Sequence, residues 1–138
     1  MHYSSLRAGF VAGAVCPVGT MVQLNEKVHC KLISVDGLTD TSPGRTASRI
    51  EDPAQVRATT VGRDYPGVEV RVIDPETGEE CPPGVHGEMC CRGYNVMKGY
   101  YKNPEATAAV IDGEGFLHSG DLGVKDADGN YSITGRIK

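Results

Sequence analysis

The chain has 138 residues, with 14 Lys or Arg against 18 Asp or Glu and a formal net charge of −4. That length suffices for one domain with a modest core, and an acidic chain without a basic stripe speaks against a nucleic-acid partner. No apolar run approaches the ~20 residues of a membrane span, and Met1-His-Tyr-Ser-Ser5 lacks the basic-then-apolar pattern of a signal peptide, so the expectation is a soluble, cytoplasmic protein.

Cys16, Cys30, Cys81, Cys90 and Cys91 form no CxxC pair, which speaks against a zinc ribbon or redox motif and for buried, reduced thiols. With 18 glycines, 8 prolines and no tryptophan, many short elements joined by turns are expected, and a β-rich reading leads.

In chain order, the apolar run Leu6–Cys16 predicts a buried strand that ends in the small residues Ala12-Gly13-Ala14. Pro17 at a first helical position predicts a helix to about Lys27, with Val18, Met21, Val22 and Val28 as its apolar face. Lys31–Val35 reads as a second strand, and strand, helix and strand in succession predict a βαβ unit with parallel strands. Just past that strand comes Asp36-Gly37-Leu38-Thr39-Asp40-Thr41-Ser42-Pro43, where open α/β sheets place ligands. Its hydroxyls and carboxylates suit a phosphate with magnesium; on composition alone it also reads as a turn without a ligand.

Residues 44–64 are polar and irregular, which predicts a surface loop. Val68–Ile73 then alternates as a half-buried strand does, with Val68, Val70 and Val72 on one face. Asp74–Gly78 reads as a turn and Glu88–Arg92 as another strand, giving an antiparallel sheet or a small distorted barrel. Asn103 as N-cap, Pro104 at the first turn and Glu105 predict a helix through Ile111. Val124-Lys125 and Tyr131–Thr134 form a predicted hairpin around a two-residue Asp128-Gly129 turn. The fold class expected is an α/β fragment over residues 1–60 followed by a β-rich, distorted barrel-like unit over 61–138, mixed α+β as a whole.

Asp121 and Arg136 flank this hairpin, which folds its ends together. A carboxylate accepts hydrogen bonds from a ribose diol and a guanidinium grips phosphate, so the pair suits a nucleotide; by spacing alone it also suits two solvated charges. Asp126-Ala-Asp128-Gly129 fails the calcium-loop pattern, and neither a dinucleotide fingerprint nor a GxxxxGK[ST] loop occurs. His2, His29, His86 and His118 show no metal spacing, and His118 reads most simply as structural.

Three stretches line up in order: Asp36–Pro43, Arg92-Gly-Tyr-Asn-Val-Met-Lys-Gly-Tyr-Tyr-Lys-Asn-Pro-Glu-Ala-Thr107, and Gly115–Asp121 leading to Gly135-Arg-Ile-Lys138. Together they resemble the adenylate-forming superfamily of acyl-CoA synthetases, luciferases and peptide-synthetase adenylation domains, with Arg92–Tyr101 most like the fatty acyl-CoA ligase branch. The resemblance implies attack of a carboxylate, here a fatty acid, on the α-phosphate of ATP, then transfer of the acyl group from the adenylate to coenzyme A. It implies that Asp121 binds the ribose hydroxyls, Arg136 the ribose and phosphate, and Thr39 a phosphate, with Asp40 where the family has a Mg2+-binding glutamate. Gly13 and Ala14 resemble the segment lining the adenine and acyl pocket, and Lys138 lies at the hinge between large and small domains. Asp36, beside Gly37, replaces an aromatic that packs on adenine; the change removes a stacking surface and adds a charge. The resemblance also implies that the phosphate loop lies upstream of residue 1 and the catalytic lysine beyond residue 138. The chain alone is then expected to be inactive, or to serve instead as a self-associating interaction module that forms a homodimer.

Overall fold

The computed structural model describes residues 4–14 and 16–137. The predicted βαβ unit is present: β1 (Ala8–Val11) runs parallel to β2 (Lys31–Asp36), from Ala8 opposite Lys31 to Val11 opposite Ser34, with α1 (Val18–Val28) as the crossover. Strand β1 is shorter than its apolar run, because Ala12-Gly13-Ala14 leaves the sheet and stays exposed. Pro17 is the N-cap of α1 rather than its first helical residue, and His29 closes the helix in the left-handed conformation at φ 53°. Of the predicted apolar face only Met21 is buried; Val18 and Val22 remain at the surface.

Residues 44–64 are not a surface loop. They supply β3 (Thr46–Ala47), α2 (Ala54–Thr59) and β4 (Arg63–Asp64), and β3 and β4 extend the first sheet antiparallel in the order β1-β2-β3-β4. Arg45, Thr46, Ser48 and Arg57 are buried here. What holds the segment inside is hydrogen bonding by its two buried arginines, Arg45 and Arg57, which find fixed acceptors, whereas Thr46 Oγ1 is buried without one among the described residues. Arg57 donates from Nη1 to the Leu32 carbonyl at 2.6 Å and from Nε to the Asp52 carbonyl at 3.1 Å, while Ser34 Oγ donates to the Arg57 carbonyl at 2.7 Å. A stretch buried by polar pairing has no apolar periodicity to betray it.

The second sheet is antiparallel, in the order β5-β6-β7-β8: β5 (Val68–Ile73), β6 (His86–Gly93), β7 (Leu117–Lys125) and β8 (Tyr131–Arg136). Strands β5 and β8 are its edges, so the sheet is open and does not close into a barrel. Val68, Val70 and Val72 face inward as their alternation predicts, packing with Met89, Cys91, Leu117 and Tyr131. α3 (Pro104–Val110) starts where predicted, with Asn103 Oδ1 accepting from Ala106 N at 3.0 Å. The β7–β8 connection is longer than the two-residue turn expected. Asp126 N donates to the Asn130 carbonyl at 2.8 Å, leaving a three-residue loop in which Gly129 alone takes a positive φ, 84°.

Tyr131 ties the sheets together. Its backbone N donates to Gly62 O at 2.8 Å and its carbonyl accepts from Val61 N at 2.8 Å, while its buried hydroxyl donates to Val70 O at 2.7 Å. No helix among the described residues is long and apolar enough to cross a membrane.

Candidate functional site

The end of β2, the turn after it and the paired ends of β7 and β8 converge on one place. Strand register sets Asp121 directly opposite Arg136, as the folded hairpin requires, and Arg136 Nη1 lies 3.2 Å from Asp121 Oδ1. Ladder irregularities at Glu88/Cys90 in β6 and at Leu122/Gly123 in β7 interrupt the pleat on either side of Asp121, and such bulges re-aim side chains.

Behind this pair lies a residue that the sequence reading passes over. Arg45, with 0% of its side chain exposed, donates from Nε to Asp36 Oδ2 at 2.6 Å, from Nη2 to Asp121 Oδ2 at 2.9 Å and from Nη1 to the Met89 carbonyl at 3.2 Å. A buried guanidinium is tolerated only when its donors meet good acceptors, and here two carboxylates and a carbonyl meet them. The result is an alternating row, Asp36–Arg45–Asp121–Arg136, with two charges of each sign. Local geometry sets Arg45: its N donates to the Asp36 carbonyl at 2.9 Å, and its carbonyl accepts from Tyr65 N at 3.1 Å. The available signal was Asp36 itself, an acid at the end of a half-buried strand, which called for a cation nearby.

Gly13, Ala14, Asp36, Gly37, Asp121 and Arg136 line one groove of about 440 Å³, floored by Val35, Leu38, Val61 and Ile133. That volume lies within the usual range of small-molecule sites, and its mix of apolar floor and a few charged groups is the usual composition. Asp121 is 14% exposed in its side chain and Arg136 is 72% exposed, so the acid is held within the fold while the guanidinium reaches solvent. Each Asp121 oxygen meets one guanidinium, and a carboxylate has about four lone-pair positions, which leaves capacity for a vicinal diol. Gly37 is needed for close approach: a Cβ there would run into the Pro43 carbonyl, which closes the turn back on itself.

Thr39 and Asp40 do not line this groove. They sit on the 3-10 turn Thr39–Thr41. The Asp40 carbonyl accepts from Met97 N at 2.8 Å and its Oδ2 from Tyr100 Oη at 2.9 Å, a bond that raises the Tyr100 pKa. Among the described residues, Asp40 Oδ1 has no such partner. Thr41 offers no hydroxyl to a ligand, being buried with Oγ1 turned back onto the Leu38 backbone. Lys138 lies outside the described residues.

The chain's likeness to known proteins bears on this groove. The model of a family described as AMP-binding enzyme matches residues 1–101. An acyl-CoA ligase of Ajellomyces capsulatus is 41% identical over 140 residues, covering 98% of this chain and 24% of that protein. The 4-coumarate–CoA ligase 5 of Oryza sativa subsp. japonica is 35% identical over 142 residues, covering 98% and 26%. The crystal structure of ATP-bound MatB from Rhodopseudomonas palustris superposes with a TM-score of 0.84 at 34% identity, over 92% of this chain and 25% of that one. Amide bond synthetase McbA from Marinactinospora thermotolerans gives 0.87 at 33% identity, over 98% and 27%. The chain thus spans about a quarter of the length of the relatives it matches. With the family model matched across most of its length, sequence shared with CoA ligases and fold shared with MatB and an amide bond synthetase, the chain belongs to the AMP-binding enzyme family.

Proposed function

We propose that this chain forms part of the adenylate site of an AMP-forming acyl-CoA ligase. In the whole protein a carboxylate oxygen attacks the α-phosphate of ATP and expels pyrophosphate. The thiol of coenzyme A then attacks the acyl-adenylate carbonyl and expels AMP. The observation that carries the reading is the convergence of Asp121 and Arg136, held 3.2 Å apart, on a groove that also receives Asp36, Gly37, Gly13 and Ala14. Asp121 accepts from the ribose hydroxyls, and Arg136 swings onto the phosphate. Asp40 fits a magnesium contact through its remaining oxygen, Oδ1, because Mg2+ usually rests on one or two carboxylates plus substrate phosphates. Thr39 serves the same phosphate, and Lys138 continues toward a hinge. The proposal includes a fatty acid as the carboxylate, a cytoplasmic setting and a division at about residue 60.

The isolated chain is proposed to bind nucleotide without turnover. Calorimetry with AMP tests this: Asp121→Ala should weaken binding roughly tenfold to a hundredfold, the size of a hydrogen bond to a charged group. Unchanged affinity would remove the ribose role. Production of acyl-CoA by the isolated chain from ATP, Mg2+, fatty acid and coenzyme A would overturn the second part. Self-association is the other reading, favoured by Phe10 at 76% exposure on edge strand β1 and by the uncovered Val18 and Val22. A dimer indifferent to AMP in light scattering would favour it.

A further inference from the structure

Away from the groove, on the far side of Gly120, a second group of chemically active side chains meets. Glu88 and Cys90 are two apart on β6, and both reach His118, which lies opposite Cys90 on β7. Glu88 Oε2 is 2.8 Å from His118 Nδ1, Cys90 Sγ is 3.4 Å from the same nitrogen, and the three ligand atoms lie within 4.8 Å of one another. On the other side of the ring, Asp112 Oδ2 stands 3.4 Å from Nε2. Asp112 is itself fixed, since its Oδ1 accepts from Glu114 N and Phe116 N, each at 2.9 Å.

With Nδ1 protonated, the ring donates to Glu88 Oε2, whose other oxygen accepts from Gly120 N at 2.9 Å, and the Cys90 S–H does not have that nitrogen as an acceptor. A cation held by Glu88 Oε2, Cys90 Sγ and His118 Nδ1 would take the place of that proton and engage the sulfur as well. A groove of about 470 Å³ lined by Glu88, Asp112, His118 and Gly120 leads from solvent to the cluster and leaves room for a water.

We propose that Glu88, Cys90 and His118 form a binding site for a divalent cation of the zinc class. An imidazole nitrogen, a thiolate sulfur and a carboxylate oxygen are the ligand types Zn2+ takes, and three protein ligands leave a fourth position for water from the groove. Asp112 acts as the positioning residue, accepting from Nε2–H so that Nδ1 faces the metal, an outer-shell arrangement common at such sites. Binding replaces the Cys90 proton with the metal: the S–H bond breaks, an S–Zn bond forms and the proton leaves to buffer.

The site is tested on the 138-residue chain with Zn2+ by calorimetry and with Co2+ as a spectroscopic probe. Expected are one Zn2+ per chain, release of the Cys90 proton per metal on comparing buffers, joined by the Nδ1 proton at pH values where His118 is charged, and a thiolate-to-Co2+ charge-transfer band. Cys90→Ser should abolish the band, and Asp112→Asn should weaken binding roughly 10–100-fold. Cys16→Ser and Cys81→Ser should leave both readouts in place. Should Cys90→Ser fail to fold, His118→Gln serves as the second variant and should likewise abolish Zn2+ binding. A Co2+ complex without the thiolate band, a band that survives Cys90→Ser, or no binding at all overturns the assignment.

Discussion

Arg45 and Asp121 are joined at 2.9 Å across 76 residues of chain, with the arginine side chain wholly buried. This ion pair connects the two sheets at the floor of the candidate site. It orients Asp121 with one oxygen toward Arg45 and the other toward Arg136, and the same guanidinium holds Asp36 at the end of β2. The carboxylate proposed for ribose is therefore placed by a residue that does not line the groove.

Arg45→Met should be strongly destabilising, because it takes the cation from Asp36 and leaves Asp121 with Arg136 alone, and the two carboxylates are only 15% and 14% exposed. Removing one partner of a buried pair costs about 3–5 kcal/mol, and the lower end applies here since both acids keep some solvent. Urea denaturation should report that loss as a fall in midpoint at similar slope. A change below about 1 kcal/mol would show that the row of charges does not hold the two sheets together.

Tyr131→Phe isolates a single hydrogen bond. The phenol donates to the Val70 carbonyl at 2.7 Å in the core, and burial, chiefly, raises its pKa. Its removal leaves that carbonyl without this donor at a cost of about 1–3 kcal/mol. Equal midpoints for the two proteins would mean that water takes the place of the hydroxyl.

Stability should depend on pH through His118. Burial opposes its charged form, but Glu88 and Asp112 outweigh that and hold the imidazole pKa above its ordinary value. A raised folded pKa contributes stability that is full below about 6.5 and is lost as pH rises through the folded value. For Asp112 the pKa is lowered: burial resists the shift, while the Phe116 and Glu114 amides and His118 more than offset it. That contribution is present above about 3.9 and is lost as pH falls through the folded value. In the presence of a chelator, His118→Asn should flatten the decline in denaturation midpoints as pH rises above about 6.5. Parallel curves for the two proteins would refute the ion-pair origin.

Much of this fold could be read from local chemistry. Val68, Val70 and Val72 alternate because one face of β5 meets the core, and Asn103-Pro104 cap α3 by a bond within four residues. Asp121 and Arg136 could be brought together because a hairpin fixes its own register. Six of the candidate residues share the groove, while Thr39 and Asp40 stand apart on their turn. The segment from 44 to 64 escaped because its burial depends on partners far away in sequence: Arg45 on Asp121 and Met89, and Arg57 on Leu32. No window of neighbours contains that information. The same holds for Glu88, Cys90 and His118, whose spacing of 28 residues between Cys90 and His118 matches no metal motif until β6 and β7 pair.

The account rests on Asp121 taking the hydroxyls of a ribose, and a calorimetric cycle tests this most directly. AMP and 2′,3′-dideoxy-AMP are each titrated into the chain and into its Asp121→Ala variant. The dideoxy nucleotide should bind the chain roughly tenfold or more weaker than AMP, and the two should bind the variant equally. Equal affinity of both nucleotides for the unaltered chain, or a preference for AMP that survives Asp121→Ala, would contradict it.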